Sequence, residues 1–434
     1  MQPNPLLGVV FHWLGGLASG SFYVPYKGVR KWSWETFWLA GGMFSWLICP
    51  WIGALLLTKD LFAVLHETSS HTFWMTYLMG ALWGLGGLTF GLTMRYLGMS
   101  LGMAIALGFC AAFGTLVPPI VKGEFADKLL NHSGTSVGGP TVLLGVFVCL
   151  LGIAIGGFAG VRKEKEMVGQ TSTIAEFNLW KGLGIATFSG VMSACFSYGF
   201  QFGEPITVIS AAHGTGPYWV GLPVIVVILL GGLTTNFIWC VLLNIKNGTG
   251  YQYLATHVRE EHAHHGGTGS GEHGPAESTA AARGTIDLEN PSADNLKQWS
   301  ARNAPNRADL KIPVLGNWFF CALAGTFWYF QFFFYQMGES QMGNYKFSSW
   351  TLHMASIIIF STLWGIFFKE WRGAQPFTKK LVVLMLAMLV GSTCIIGWGN
   401  KKSEDAENAA KAKMESVVPA AQSAVDDAAK PLQK

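Results

Sequence analysis

Two histidines lie inside long apolar stretches of this chain, where ionisable side chains are rare. His12 lies about six residues inside the first stretch, and His353 lies near the start of the ninth. Histidine can bind and release a proton near neutral pH, and an ionisable group at such a position is a candidate for function. Because no Asp or Glu occupies the middle of any stretch, we predict that His12 carries a proton, with His353 as the second candidate. The alternative for either is a neutral histidine hydrogen-bonded to a neighbouring helix.

Glu35 is a third candidate for a proton pathway. It stands at the start of the second apolar stretch, close in sequence to Lys27, Arg30 and Lys31. A carboxylate there could serve as a gate or as the site where a proton leaves. The alternative is an ion pair at the membrane interface, where an acidic residue also favours the start of a helix.

The eighth apolar stretch carries polar and aromatic side chains that could bind a ligand with both polar and apolar surface, such as a sugar. Steps of three and four residues place Trp328, Gln331 and Tyr335 on one face of a helix. Sugar hydroxyls need hydrogen-bond partners, while the C–H face of a pyranose can lie against an aromatic ring. We therefore predict a pocket in the outer half of the membrane, formed by the first, eighth and ninth stretches. Further candidates for binding such a ligand are Tyr329, Asn236, Tyr23 and Trp83. Aromatic residues that only pack or line the membrane interface are the alternative.

These residues need long helices to position them. Ten apolar stretches each approach the roughly 20 residues that cross a bilayer, and such stretches must be helical because lipid offers no partners for backbone groups. The predicted fold class is an all-α membrane protein with ten transmembrane helices. The predicted spans are 6–26, 37–57, 72–94, 99–120, 140–160, 179–200, 217–244, 313–337, 350–368 and 380–399.

Basic residues alternate between the gaps that separate the spans. Of the 29 Lys and Arg residues, 19 lie in or beside the odd-numbered gaps and 4 lie in the even-numbered gaps. Because loops rich in Lys and Arg stay in the cytoplasm, the odd-numbered gaps are predicted to be cytoplasmic. Both termini then lie on the outer, periplasmic side, although the 6 basic residues of the C-terminal tail argue mildly against that placement.

The spans divide into two equal halves. Residues 1–160 hold the first five spans, 161–178 form a cytoplasmic linker, and 179–399 hold the second five. Two halves with an odd number of spans must lie antiparallel, as in the inverted repeats of many secondary transporters. A weak internal similarity between YLGMSLGM at 96–103 and YQMGESQM at 335–342 also favours two inverted five-helix repeats.

Two polar segments stand apart from the spans. Residues 247–311 are rich in Gly, Ser, Ala and His, which predicts a flexible cytoplasmic loop, and 400–434 are a polar C-terminal tail. The loop suggests a transition-metal site, but the spans lack the Asp and His pairs that metal passage would need. The histidines concerned are His257, His262, His264, His265 and His273.

Composition excludes several classes of protein. Only 12% of the residues are charged, so the net charge of +4 indicates membrane topology and not a nucleic-acid partner. All 7 cysteines lie within predicted spans, in no pattern typical of disulfides or metal sites. No nucleophile–base set lies at membrane depth, so an enzyme is not expected, and no cofactor other than a coupling proton is predicted.

Several runs, in order along the chain, resemble the L-rhamnose–proton symporter family, which belongs to the drug/metabolite transporter superfamily. The similarity covers roughly 6–246 and 311–399. The chain differs from the family in its longer loop, its polar tail and the run SYGFQFGEP at 197–205. The similar runs are FYVPYK at 22–27, KWSWET at 31–36, GLTMRYLGMS at 91–100, GTL at 114–116, EFN at 176–178, WYFQFFFY at 328–335, SWTLHM at 349–354 and KEW at 369–371.

The resemblance implies a bacterial inner-membrane symporter that imports L-rhamnose or a related deoxyhexose with protons. Its partners would be the sugar and the lipid bilayer, and a complete ten-helix unit could work as a monomer. A metabolite or drug exporter of the same superfamily is the alternative, and a metal transporter that uses the His-rich loop is less consistent with the spans.

Overall fold

The structure is a computed structural model that describes residues 3–97, 99–132, 134, 136–166, 178–259 and 311–429. Within these ranges the regular structure is helical, apart from one isolated antiparallel bridge between His257 and Lys311. The predicted linker 161–178 is described only at its ends. Most of the predicted loop 247–311 lies outside the described residues, and so do its histidines from His262 to His273.

Fifteen α-helices make up the described chain. A π-helical turn, Met43–Ile48, joins α3 to α4, and 3-10 turns follow α12 at Gly250–Tyr253 and precede α14 at Gly343–Ser348. The helices are α1 (Pro5–Ser21), α2 (Tyr23–Tyr26), α3 (Trp34–Gly42), α4 (Cys49–Leu57), α5 (Leu61–Glu67), α6 (Ser70–Leu97), α7 (Met99–Val121), α8 (Phe125–Leu129), α9 (Gly139–Glu166), α10 (Leu179–Phe202), α11 (Glu204–Ala212), α12 (Leu222–Asn247), α13 (Val314–Glu339), α14 (Ser349–Phe367) and α15 (Pro376–Ala429).

Nine stretches of the described chain are long and apolar enough to cross a membrane, so the prediction of an all-helical, multi-pass protein is confirmed. They coincide with nine of the ten predicted spans, but the sixth runs on through α11 and the last begins at Pro376. The last helix then continues without interruption into the predicted tail. The nine are Pro5–Tyr26, Trp34–Leu57, Ser70–Thr93, Gly102–Val121, Gly139–Lys163, Trp180–Ala212, Leu222–Asn247, Tyr345–Phe367 and Pro376–Ala410.

The eighth predicted span, 313–337, forms α13 but is not among the nine. This helix has 26 residues and is therefore about 39 Å long, enough to cross a bilayer. Its Asn, Gln, Tyr and Trp side chains make it less apolar than the others. Several of these polar residues are buried, among them Asn317, Gln331 and Gln336. The polarity of α13 is therefore directed into the protein.

Pro50 explains the π-helical turn between α3 and α4. A proline cannot donate a hydrogen bond to the carbonyl four residues earlier, and its ring presses on that carbonyl. Here the carbonyl belongs to Trp46, and the helix widens over Met43–Ile48, just before the proline. A widened turn accommodates the proline without ending the helix, and such turns are frequent at functional sites.

The long helices pack in a regular set of pairs. α1 packs between α13 and α14, and α10 packs between α6 and α7. α12 packs along α6 and also contacts α3, while α3 in turn contacts α13. α9 packs along α15. In the centre, the ring of Phe196 stacks on Phe332 at 4.3 Å and on Trp350 at 5.7 Å, which joins α10, α13 and α14.

A carboxylate joins the end of α9 to the start of α15. Glu166 accepts hydrogen bonds from Thr378 Oγ1 at 2.7 Å, from the backbone N–H of Gln375 at 2.9 Å and from Arg162 at 3.2 Å. The bond from Gln375, with the others, lowers the pKa of Glu166 below its ordinary value. An ionised carboxylate in front of the first turn of a helix also interacts favourably with the helix dipole.

Close helix contacts at glycine suggest a stability test in α6. A Cβ added to Gly80 would overlap the backbone carbonyl of Ile228 on α12, whereas a Cβ on Gly87 would meet nothing within 4 Å. We expect Gly80→Ala to lower the free energy of unfolding by about 1–3 kcal/mol, the usual effect of overpacking. Gly87→Ala should be neutral or slightly stabilising, because alanine favours a helix. Thermal unfolding of the two purified variants in one detergent measures this, and equal melting temperatures would contradict the packing.

Candidate functional site

The start of α1 is fixed against the end of α13. The Asn4 side chain accepts a hydrogen bond from Leu7 N at 3.2 Å and so caps α1, while Asn4 N donates to Gln341 Oε1 at 3.0 Å. The 3-10 turn that leads into α14 begins at Gly343, two positions after Gln341. The three helices therefore have these ends on one side of the molecule, which brings their predicted candidates to similar heights.

The structure brings His12, Tyr335 and His353 together, and we call these three side chains the histidine cluster. The ring centroids of the two histidines are 6.4 Å apart, and each lies 5.3 Å from the ring of Tyr335 in an edge-on arrangement. All three side chains are buried. The predicted convergence of α1, α13 and α14 thus occurs, with Tyr335 in contact with both imidazoles.

The histidine cluster contains polar atoms without partners. Among the described residues, neither ring nitrogen of His12 or His353 has a hydrogen-bond partner, and the same holds for the side-chain nitrogen of Gln331. Nearly all buried polar groups in proteins are hydrogen-bonded, and an unpaired one costs about 1–3 kcal/mol. Neither histidine therefore makes the hydrogen bond to a neighbouring helix that the alternative interpretation expects. Such groups are typical of a site that takes up a proton or a polar ligand.

Two glycines allow the helices to meet at this point. A Cβ on Gly338 would lie 2.7 Å from His12 Nε2, and a Cβ on Gly15 would lie 2.9 Å from the carbonyl oxygen of Gln331 and 3.4 Å from the His353 ring. Any larger residue would displace an imidazole or separate α1 from α13. Gly338 follows Tyr335 by three residues, so helical spacing from the cluster could have identified it.

Trp328 has different neighbours from Tyr335, although both lie on the predicted face of α13. Its ring centroid is 4.1 Å from that of Phe22 and 6.4 Å from that of Trp38. These rings surround a small cavity, which we call the tryptophan cavity. The predicted face of α13 therefore contributes to two separate sites. Tyr335 belongs to the histidine cluster, and Trp328 belongs to the tryptophan cavity. The residues that line the cavity are Phe22, Tyr26, Trp38, Gly42, Ser45, Trp46, Gly325 and Trp328.

The other predicted sugar-binding residues are divided. Asn236 is buried beside the tryptophan cavity, where it accepts a hydrogen bond from Trp38 Nε1 at 3.0 Å and donates to Gly232 O. Tyr23 is 55% exposed and lies outside both sites. Trp83 packs against Phe196 and Phe332. Tyr329 is buried on another face of α13, with its hydroxyl against Gly53 of α4.

Glu35 lies in a hydrogen-bonded network at the opposite end of α1 from Asn4. Its Oε1 accepts bonds from Thr249 Oγ1 at 2.7 Å and from Asn247 Nδ2 at 3.0 Å. Asn244 Oδ1 accepts from Thr36 and lies 3.0 Å from the Thr249 hydroxyl, which joins α3 to the end of α12. The partners of Glu35 are thus neutral side chains, where the alternative interpretation had expected Lys or Arg.

A second part of this network holds the chain after α1. Asn317, near the start of α13, accepts a hydrogen bond from Arg30 N at 2.9 Å and donates to Arg30 O at 2.8 Å. Gln252 accepts from the backbone and hydroxyl of Ser33 at 2.8 and 2.9 Å. We call the residues of both parts the polar network. Only the three-dimensional contacts identify it, because its members lie up to 287 residues apart.

Comparison with known proteins places these features in a family. A family model described as L-rhamnose-proton symport protein (RhaT) matches residues 1–249 and 296–401. The chain belongs to the L-rhamnose-proton symport protein family. It is 35% identical over 399 residues to an L-rhamnose-proton symporter of Yersinia pestis (strain Pestoides F), covering 89% of this chain and 97% of that protein. It is 33% identical over 397 residues to one of Cronobacter sakazakii (strain ATCC BAA-894), covering 91% and 97%.

The RhaT match includes the histidine cluster and the tryptophan cavity, which lie within residues 1–249 or 296–401. It also includes the polar network except for Gln252. Most of the His-rich segment falls between the two matched ranges. In the described part of the chain, no group of three or more His, Cys, Asp or Glu side chains is arranged to hold a metal ion.

Glu35 gives a test of the polar network. Glu35→Ala removes the two hydrogen bonds that the carboxylate accepts from Thr249 and Asn247, so we expect a loss of about 1–3 kcal/mol in the free energy of unfolding. Glu35→Gln keeps an oxygen that can accept the same bonds and should lose less. Thermal unfolding in detergent measures both variants against the wild type. Equal stability of all three proteins would show that the bonds to Thr249 and Asn247 contribute nothing.

Proposed function

We propose that this protein imports L-rhamnose, or a closely related deoxyhexose, together with protons by alternating access. The observation that carries the proposal is the histidine cluster, in a chain whose relatives are named L-rhamnose-proton symporters. Transport against a sugar gradient needs a group that takes up a proton on one side and releases it on the other. His12 and His353 are the buried groups best suited to that task.

The two imidazoles would act as one proton site. Their centroids are 6.4 Å apart in weakly polar surroundings, so two protons would place like charges close together at a large energetic cost. The pair is therefore expected to carry one proton at a time. Gln331 is four residues before Tyr335 on α13, and its unpaired amide would donate a hydrogen bond to a sugar hydroxyl. Glu35 remains a candidate for the side where the proton leaves.

The helix pairs support two inverted five-helix repeats. If α13 is counted with the nine other spans, the third and fourth spans are α6 and α7 in the first half, and α13 and α14 in the second half. The first helix of each half, α1 or α10, then packs on the third and fourth of the other half. The second helix, α3 or α12, packs on the third helix of the other half, and the fifth helices, α9 and α15, pack on each other. The correspondence follows directly from a two-fold relation between halves.

The position of basic residues supports an orientation. Lys27 Nζ lies 3.7 Å from the ring centroid of Phe368, and Lys163 Nζ lies 4.7 Å from that of Trp371. These contacts lie at the end of α1 that also carries the polar network. By the distribution of Lys and Arg, this end faces the cytoplasm of a bacterium, and both termini lie on the periplasmic side of the inner membrane. The histidine cluster would then lie in the outer half. Such a ten-helix plan also fits the drug/metabolite transporter superfamily and a monomer.

Transport by the purified protein tests the function. Proteoliposomes that carry an inward proton gradient should accumulate labelled L-rhamnose above its external concentration, because proton entry supplies the free energy. An ionophore that collapses the gradient should abolish the accumulation while leaving counterflow. If uptake is the same with and without the gradient, coupling to protons is wrong.

Substitution of His12 separates coupling from transport. We expect His12→Ala to reduce accumulation to the level reached without a gradient, because the proton site is lost. Counterflow of L-rhamnose, which needs no net proton movement, should persist. The matched variant His132→Ala changes an exposed histidine of the described chain and should behave as the wild type. Gradient-driven accumulation by His12→Ala would remove His12 from the mechanism.

The contact between Gly338 and His12 provides a second test. Gly338→Ala places a methyl group against His12 Nε2 and should displace the imidazole, so gradient-driven uptake is expected to fall about 10-fold or more. The control on the same helix is Gly316→Ala, whose Cβ would meet only Pro313 Cβ at 3.9 Å. Uptake rates are compared at equal amounts of folded protein, measured by size-exclusion chromatography. Equal uptake by both variants would contradict a role for the His12 position.

A further inference from the structure

The tryptophan cavity combines features of a sugar subsite at a place that the histidine cluster does not reach. It lies where the end of α1, the π-helical turn and the middle of α13 meet. Trp38, Gly42, Ser45 and Trp46 share one face of α3 and its continuation, at steps of four, three and one residues. Trp328 of α13 closes the opposite side.

Two of the three indole N–H groups at this cavity have no partner. Trp38 Nε1 donates to Asn236, but the buried Nε1 atoms of Trp46 and Trp328 have no hydrogen-bond partner among the described residues. Trp46 is only 3% exposed. Because a buried donor is normally paired, the two free N–H groups are suited to an acceptor that the protein itself does not supply.

The chemistry of the lining selects a neutral, partly apolar ligand. Apart from the Tyr26 phenol, the residues that line the cavity are not ionisable, so a charged ligand would find no counter-charge. Aromatic rings can cover the C–H groups of a pyranose and the C6 methyl of a 6-deoxyhexose. Hydroxyl oxygens can accept hydrogen bonds from indole N–H groups, and Ser45 offers one more polar partner.

The cavity is contracted in this conformation. Its space is about 190 Å³ when the open mouth is included, and the inner part has room for about one water molecule. A pyranose can enter only if an aromatic ring moves aside. Trp46 lies in the π-helical turn before Pro50, where the helix lacks its regular hydrogen bonds, so this wall is the one best able to adjust.

The distance between the two sites follows from helix geometry. Trp328 and Tyr335 are seven residues apart on α13, which corresponds to about 10 Å along the helix. Gln331 lies between them, three residues from Trp328 and four from Tyr335. A sugar held at the tryptophan cavity could therefore reach the Gln331 amide without contact with the imidazoles.

We infer that the tryptophan cavity is the subsite for the apolar face of the transported deoxyhexose, with Trp46 and Trp328 as hydrogen-bond donors to its hydroxyls. This inference rests on the proposed function. It separates the sugar from the proton along α1 and α13: the histidine cluster carries the proton, Gln331 lies between, and the aromatic rings hold the sugar.

Equilibrium binding of L-rhamnose to the full-length protein in nanodiscs tests the inference. Trp46→Phe and Trp328→Phe keep an aromatic ring and remove the N–H group, so each should raise the Kd about 5- to 10-fold. Trp180→Phe, at a position 79% exposed on α10, is the matched control and should bind as the wild type.

Two further measurements keep the test decisive. Monodeoxy analogues of L-rhamnose should include one whose affinity is equal for the wild type and Trp46→Phe, because the sugar then lacks the acceptor. If a Trp variant fails to fold, Ser45→Cys replaces it, and L-rhamnose should slow alkylation of the new thiol. Wild-type binding with unchanged affinity in both Trp variants, or no protection of the thiol, would overturn the inference. Absence of both binding and counterflow in the wild type would instead contradict the proposed function.

Discussion

A polar group inside a bilayer must find its partner within the protein, and this constraint governs the whole structure. It forces the backbone into helices and keeps Lys and Arg residues out of the middle of the predicted spans. It also explains why α13 packs against several other helices and buries its polar residues Asn317 and Gln331. The carboxylate of Glu35 follows the same rule, since Thr249 and Asn247 supply its hydrogen bonds.

Unpaired buried groups also occur elsewhere in the described chain, for example at Thr76 and Ser210, but those of α1 and its neighbours are informative because they are grouped at two sites. One helix, α1, takes part in every site: it carries His12, it ends at Phe22 beside the tryptophan cavity, and Asn317 holds Arg30 just beyond it. Glycine makes this possible, since Gly15 lies against both α13 and α14. A tilt of α1 would therefore alter the histidine cluster and the tryptophan cavity together. Rigid movement of a packed helix is a common way to join distant sites.

The sequence was informative wherever a residue was rare in its surroundings. His12 and His353 stood out because imidazoles are uncommon in apolar stretches, and helical spacing indicated that Gln331 and Tyr335 share a face. The same spacing included Trp328, but a face of a long helix meets different neighbours at different heights, which only packing determines. The tryptophan side chains of α3 could not be distinguished from ordinary interfacial aromatics, because their roles depend on contacts with α1 and α13. The partners of Glu35 were likewise hidden by more than 200 residues of chain.

Separate sites on the same pair of helices offer a physical route to coupling. A proton on His12 places a positive charge in surroundings where its nitrogens have no acceptor, and such a charge is costly unless the site rearranges. A sugar that draws Gln331 and Trp328 toward the cavity changes how α13 packs on α1, and so changes that cost. By thermodynamic linkage, whatever factor the sugar contributes to proton binding, the proton contributes equally to sugar binding. If the proton and the sugar bind at the two proposed sites, coupling requires no contact between them, only a shared helix interface whose packing both of them alter.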